Sequence, residues 1–376
     1  MASVKRMIPL LIPTRNRPTS LLNLLRYLAR FYRSTHVIIA DGSTENYQDL
    51  NRKNVDLFKQ DLAIDYRPYP ADLPQFDRLL HVLRGETSEI ITLNADDDFP
   101  MMETLREGEV FLQKNSDYSV AIGMTVNLSL NSPTDLTAQL FPARPIVPDD
   151  PLERVRRYSS WHNLFLTSYA VVRREALIER YERARKAFMV SFHDYAIGIS
   201  DCLQGKIRAL PKLGTVWTHN YTHSYWREEG DLIFLRRSEE VLKIGEQFRL
   251  DLMQYAGLDE DTARKESTRL VLERIRVLVG RPVYMLKVFE NSPMFFNPTV
   301  QKQFETFDAL FEKNTPERAK YEERLAFILA AVKKNAQSDD NQGQKKKSEI
   351  TEDAIESAVT VPGFPPAATR LSLIHI

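Results

Sequence analysis

The sequence predicts an α/β protein: a mostly parallel, Rossmann-like sheet flanked by helices, followed by a helical C-terminal extension. Three observations carry this. Short apolar runs at Met7–Ile12, His36–Ala40 and Glu89–Leu93 have the length and bounding turns of buried strands. Between the first two, Leu21, Leu24, Leu25, Leu28 and Phe31 recur at helical spacing and give one apolar face. Strand, helix, strand at this interval implies βαβ units, and such sheets are covered on both faces. From Asp231 to about Lys334 the pattern is helical alone, as in Tyr321, Leu325, Ile328, Leu329 and Val332.

The elements follow in order. MIPLLI ends in Pro13-Thr14-Arg15-Asn16-Arg17-Pro18, a strand running into its loop. Pro18, Thr19 and Ser20 supply the proline and hydroxyl residues of a helix start. Asp41-Gly42-Ser43 closes the second strand with a turn. Ile64–Tyr69 is a weaker strand, Leu73–Leu83 a helix, and Thr104–Lys114 a helix before a strand at Tyr118–Met124. Residues 129–151 are rich in Pro, Ser, Thr and Asp and read as a long loop, of the kind that carries function. Ser168–Val172 suggests a further strand and Arg174–Phe188 a charged helix. The expected division is a sheet domain at 1–230, a helical extension at 231–335 and a disordered tail at 336–376. The last six residues of that tail, 371–376, resemble a translated cloning adapter and are set aside.

Composition narrows the function classes. The 376 residues hold 51 Lys plus Arg against 51 Asp plus Glu, which removes the simplest case for a nucleic-acid binder. Cys202 is the only cysteine, so neither a disulfide framework nor a multi-thiolate zinc site can form within the chain. No run of 18 apolar residues occurs, and the N-terminal apolar stretch is too short for a signal segment. The expectation is a cytoplasmic protein without a membrane span. Lys345-Lys346-Lys347 offers at most a peripheral contact at the inner membrane face, and three lysines among acids otherwise read as solvated. Glycine numbers only 13, and neither G-x-G-x-x-G nor G-x-x-x-x-G-K is present. A phosphate ligand would have to be gripped without a glycine loop.

The strongest chemical feature is Asn94-Ala95-Asp96-Asp97-Asp98-Phe99-Pro100, directly after a buried strand. Adjacent carboxylates raise one another's pKa values unless cations or donors sit among them. Ligands of open α/β sheets bind outside the carboxyl ends of the strands. Extended geometry would put Asp96 and Asp98 on one side and Asp97 on the other. Two carboxylates suit a Mg²⁺ or Mn²⁺ ion that takes its other ligands from water and a diphosphate. The competing reading is a solvated acidic turn that caps the next helix. At another strand end, Thr14, Arg15, Asn16 and Arg17 offer a hydroxyl, an amide and two guanidiniums suited to a diphosphate. Asp41 offers an acceptor for a base N–H or a ribose hydroxyl.

The runs IPLLIPTRNRP, VIIADGST and LNADDDFP, in this order, resemble nucleotide-sugar glycosyltransferases of the GT-A fold, particularly family 2. The resemblance implies transfer of a sugar, with inversion, from a nucleotide-sugar donor to a hydroxyl acceptor such as a glycan or lipid-linked sugar. It assigns Thr14, Arg17, Asp41, Asp96 and Asp97 to the donor, and Asp96 and Asp98 to Mn²⁺ or Mg²⁺. Phe192-His193-Asp194-Tyr195, expected just ahead of a helix, aligns with the family's Glu-Asp pair, with His193 in place of the Glu. This makes Asp194 the general base. His219, in Val216-Trp217-Thr218-His219, becomes a metal or diphosphate contact. Trp217, Tyr221, Tyr225 and Trp226 could stack on a sugar or form the edge of a core. The alternatives are a nucleotidyltransferase, a non-catalytic nucleotide-sugar-binding protein, and a His-Asp metal phosphohydrolase using His162, His193, Asp194 and His219. The last normally needs an all-helical scaffold.

Overall fold

The structure, a computed structural model, describes residues 8–130, 136–141, 143–160, 167–186, 189–220, 237–290, 321 and 323–331. The chain runs β1 (Leu10–Thr14), α1 (Pro18–Phe31), β2 (His36–Asp41), α2 (Glu45–Asp56), β3 (Ala63–Pro68), α3 (Gln75–Gly85) and β4 (Ile90–Leu93). It continues through β5 (Phe99–Pro100), α4 (Met102–Lys114), β6 (Tyr118–Leu130), β7 (Leu136–Phe141) and α5 (Pro151–Ser160). A 3₁₀ turn (Thr167–Tyr169) leads into β8 (Val171–Arg173), α6 (Arg174–Lys186), α7 (Val190–Gln204) and β9 (Lys206–Asn220). The helices α8 (Ser238–Ala256) and α9 (Glu260–Glu290) complete the named elements.

The described strands form one nine-stranded sheet in the order β3-β2-β1-β4-β8-β6-β9-β5, with β7 paired to β6. The first four are parallel, as βαβ connections dictate. From β8 outward the sheet is mixed: β8 is antiparallel to both β4 and β6, and β5 to β9, while β6 and β9 are parallel. Along β6 and β9 the register shifts near Gly123, where a side chain would strike the backbone of Gly214 at 2.7 Å. Only glycine allows that approach.

Alternation along the strands sorts the apolar residues into two cores. Leu10, Ile12, Val37 and Ile39 face α1, whose Leu21, Leu24, Leu25 and Leu28 are fully buried there. Leu11, Ile38, Ala40 and Ile91 face the other way, toward Leu79, Leu80 and Leu83 of α3 and Leu177 of α6. The C-terminal helices join both cores. Val241, Ile244, Phe248 and Leu252 of α8 and Leu270 of α9 belong to the second. Ile328 and Phe327, in the helical residues 323–331, belong to or pack on the first, and Arg324 reaches Glu103 at 2.6 Å.

Several expectations change here. Residues 129–151 are not simply a loop, because β7 forms there by pairing with β6, and Ile146 bridges Ile207. Phe192–Tyr195 lies inside α7 rather than ahead of it. The sheet is incompatible with the all-helical scaffold of the phosphohydrolase reading, and His162 falls outside the described residues. The expected tail at 336–376, with its lysine run, and Tyr221, Tyr225 and Trp226 also fall outside them. Among the described residues no helix is long and apolar enough to cross a membrane.

Candidate active site at the strand carboxyl ends

The register Thr14↔Asp41 aligns the ends of β1 and β2, and β4 lies on the other side of β1. Thr14, Arg17, Asp41 and the acidic turn therefore meet at one edge. Thr14 Oγ1 donates to Asp96 Oδ2 at 2.7 Å, and Arg17 Nη1 pairs with Asp96 Oδ1 at 2.8 Å. Arg17 also pairs with Asp97. Burial works against the Arg17 charge, but Asp96 and Asp97 outweigh it and hold the guanidinium protonated. Burial pushes Asp96 up to about 6, against the pull of Arg17.

Residues 94–98 make a turn, tied by Asn94 Nδ2 donating to the carbonyls of Ala95 and Asp98 at 2.7 and 2.8 Å. The expected alternation is only partly kept. Asp96 and Asp98 are both buried while Asp97 is partly exposed, but the two buried carboxylates face different neighbours. Asp98 Oδ1 accepts the backbone N–H of Thr218 in β9 at 2.7 Å, and Thr218 Oγ1 donates to the Asp97 carbonyl at 2.6 Å. Asp98 Oδ2 is buried, with the Tyr169 phenol facing the carboxylate, and burial together with Asp97 raises the Asp98 pKa well above the carboxylate range.

Hard carboxylate oxygens at a buried turn fit Mn²⁺ or Mg²⁺. Among the described residues, however, no three His, Cys, Asp or Glu side chains converge to hold a metal by themselves. The fit is therefore to an ion that shares its coordination with a ligand. His219 extends β9 opposite Ser129, and its side chain lies outside the described residues.

The second loop is braced against the first. Asn16, in a left-handed conformation at φ 56°, receives the Thr44 N–H on Oδ1 at 2.9 Å, and its own N–H donates to Ser43 Oγ at 2.8 Å. Asparagine tolerates this conformation better than most residues. Asp41 has no exposed surface. Its carboxylate accepts from the Ser43 N–H (2.8 Å), Asn51 Nδ2 (2.8 Å) and the Tyr66 hydroxyl (2.6 Å). Three donors leave about one acceptor position of the roughly four a carboxylate has.

Nothing in the residue pattern singles out Arg78. From the first turn of α3 its guanidinium lies over Gly42, where an added Cβ would fall 0.9 Å from Nη1. Arg78 is 3% exposed, and its Nε and Nη1 have no hydrogen-bond partner. Burial, then the neighbouring Arg15, lowers its pKa, and Asp41 opposes them. An unpartnered buried cation beside a second arginine is a place for an anion.

Asp194 comes to this edge through β8. Because β8 runs antiparallel with Thr92↔Val171, the residues just before it lie beside the residues just after β4. Ser168 Oγ donates to Asp194 Oδ1 at 3.1 Å. Next in the chain, Tyr169 faces Asp98: burial and that carboxylate raise the phenol pKa, with Asp97 and Asp194 adding to the effect. The Tyr169 ring lies 6.1 Å from that of Trp217. His193 packs against Phe76, and burial lowers its pKa despite the adjacent Asp194. The structure thus gathers Thr14, Arg17, Asp96, Asp97 and Asp98 directly, and ties Asp194 to them through the Thr167–Tyr169 turn.

No protein-family model matches the chain, and no curated protein matches it. Among solved structures, it is similar to TarS residues 1–349 from S. aureus in complex with UDP-GlcNAc, at 15% identity over 90% of this chain and 92% of the other, with a TM-score of 0.49. A second crystal structure of S. aureus TarS 1–349 matches at 14% identity over 90% and 92%, with a TM-score of 0.47. The mannosyltransferase PcManGT from Pyrobaculum calidifontis, in complex with GDP-Man and Mn²⁺, matches at 14% identity over 89% and 88%, with a TM-score of 0.43.

Proposed function

We propose that this chain is an inverting, metal-dependent glycosyltransferase of the GT-A type, family 2-like, that moves a sugar from a nucleotide diphosphate to a hydroxyl acceptor. One observation carries the reading: a carboxylate on a separate helix, Asp194, is tethered beside a cluster of carboxylates and arginines at the carboxyl ends of parallel strands. Sugar transfer needs these two functions side by side, one to hold a diphosphate and one to take a proton.

Arg78, Arg15 and Arg17 supply positive charge for the diphosphate, and Thr14 and Asp41 shape the nucleoside side. The Asp96 and Asp98 carboxylates would hold the divalent ion, with Asp97 shared between Arg17 and the donor. When bound, that ion supplies charge neutralisation of the departing diphosphate. Asp194 accepts the proton of the acceptor hydroxyl as its oxygen bonds to the anomeric carbon. The carbon–phosphate oxygen bond breaks, and the nucleoside diphosphate leaves with the electron pair. Attack from the face opposite the leaving group inverts the centre, through an oxocarbenium-like state.

The test is incubation with a panel of nucleotide sugars, beginning with UDP-GlcNAc and GDP-mannose, with Mn²⁺ or Mg²⁺ present. Release of nucleoside diphosphate supports sugar transfer. Pyrophosphate formed from a sugar phosphate and a nucleoside triphosphate would make the chain a nucleotidyltransferase instead. Binding without turnover across donors and acceptors would make it a nucleotide-sugar-binding protein.

A further inference from the structure

Asp194 is fixed in two independent ways. Its backbone is pinned by packing: Phe192 and Tyr195 on either side are buried, and the Tyr158 hydroxyl of α5 donates to the Asp194 carbonyl at 3.2 Å. Its side chain is held by Ser168, whose Oγ donates to Oδ1 at 3.1 Å. These constraints differ in kind. Packing of α7 places the Cα, but an aspartate χ2 is a broad torsion that only a directional contact can set. Ser168 supplies that contact from the 3₁₀ turn, and the β4–β8 register sets the same turn beside the strand that leads into the acidic turn.

We infer that Ser168 is a positioning residue for the reaction: its hydrogen bond occupies Oδ1 of Asp194, turns Oδ2 toward the acceptor hydroxyl, and fixes the spacing between the base and the acidic turn. The inference rests on the reading of Asp194 as the base. An antiparallel β8 makes it feasible. A parallel strand there would enter the sheet at the far edge, and no residue preceding it could reach both sites.

The experiment compares Ser168→Ala, Ser168→Thr, Asp194→Asn and the Ser168→Ala/Asp194→Asn double variant. It uses the nucleotide sugar that the panel shows to be turned over, and binding of UDP and GDP with Mn²⁺ by calorimetry. Ser168→Ala should lower kcat about tenfold, the scale of one hydrogen bond to a charged group, and leave donor KM and diphosphate affinity within about twofold. Ser168→Thr, which keeps the hydroxyl, should recover most of that loss. On the Asp194→Asn background, Ser168→Ala should add less than about twofold, because the group it orients no longer acts as a base.

Full kcat in Ser168→Ala while Asp194→Asn is inactive overturns the positioning role and leaves the base reading standing. Parallel losses of kcat and donor binding in Ser168→Ala, or a further tenfold loss on the Asp194→Asn background, also overturn it. Wild-type turnover in Asp194→Asn removes the base reading and the role of Ser168 with it. Should Ser168→Ala fail to fold, Ser168→Cys keeps the size with a weaker donor and should lower kcat below wild type while donor KM stays within about twofold. A cysteine variant equal to wild type overturns the proposal.

Discussion

On the β3-β2-β1-β4 side of the sheet, Thr14, Arg17, Asp41 and Asp96 all sit at or just beyond the carboxyl end of a parallel strand. On the β8-β6-β9-β5 side, Ser168 precedes a strand, Thr218 lies within one, and Asp194 projects from a helix. In the parallel half one rule delivers every group to the same edge. In the mixed half each group arrives by a different route, and the reversal of β8 makes the routes converge. Under the proposed function this becomes a division of labour, in which the parallel half would grip a nucleotide and the mixed half would do chemistry on what it holds.

The sharpest way to break that division is Asp194→Asn, which should lower transfer by about 10²–10⁴, the usual worth of a general base. Turnover within tenfold of wild type would place the base elsewhere. Chelation of divalent metal should come next, with nucleoside diphosphate affinity falling about tenfold or more; affinity unchanged by chelation would take the metal away from the acidic turn. Arg17→Met leaves Asp96 buried without its cation. Loss of a fully buried ion-pair partner costs about 3–5 kcal/mol, and because Arg17 is a third exposed, about 2 kcal/mol is expected in a denaturant titration.

A finer test is Gly42→Ala. The new methyl must displace the Arg78 guanidinium, the far end of a flexible side chain, so stability should change by less than about 1 kcal/mol. Nucleoside diphosphate affinity should nevertheless fall about fivefold, and an unchanged affinity would remove Arg78 from the donor site. The smallest expected effect concerns His193. Its folded-state pKa is depressed by burial, so its neutral form stabilises the fold above the unfolded value near 6.5, and that contribution is lost as pH falls. Relative to His193→Gln, wild-type Tm should drop further between pH 7 and 5. Parallel curves would contradict the buried, neutral state.

The same contrast explains what could be read in the chain. β1, β2 and β4 have apolar runs long enough to announce themselves, and their terminal polar residues inherit a place at the site. The strand expected at Ser168–Val172 exists only as Val171–Arg173, too short to show a direction, and Ser168 and Tyr169 lie in the 3₁₀ turn ahead of it, so their place beside the acidic turn was not legible. Thr218 is buried in the long strand β9 and contributes through its amide, which any residue type has. Arg78 sits on a helix among other charged residues, and its burial depends on Gly42, 36 positions earlier, leaving room. β7 owes its strand conformation to its partner β6 more than to its own Pro- and Ser-flanked pattern. Asp41 was legible as a strand-end carboxylate, but its three internal donors were not.

The division of labour is tested most directly by one variant from each half, Arg78→Met and Asp194→Asn, titrated with UDP and GDP in the presence of Mn²⁺ in the same calorimetric series. Asp194→Asn is expected to bind the preferred nucleotide with a Kd within about twofold of wild type, while Arg78→Met weakens it about tenfold or more. Equal weakening by both variants, or weakening by Asp194→Asn alone, would contradict that division.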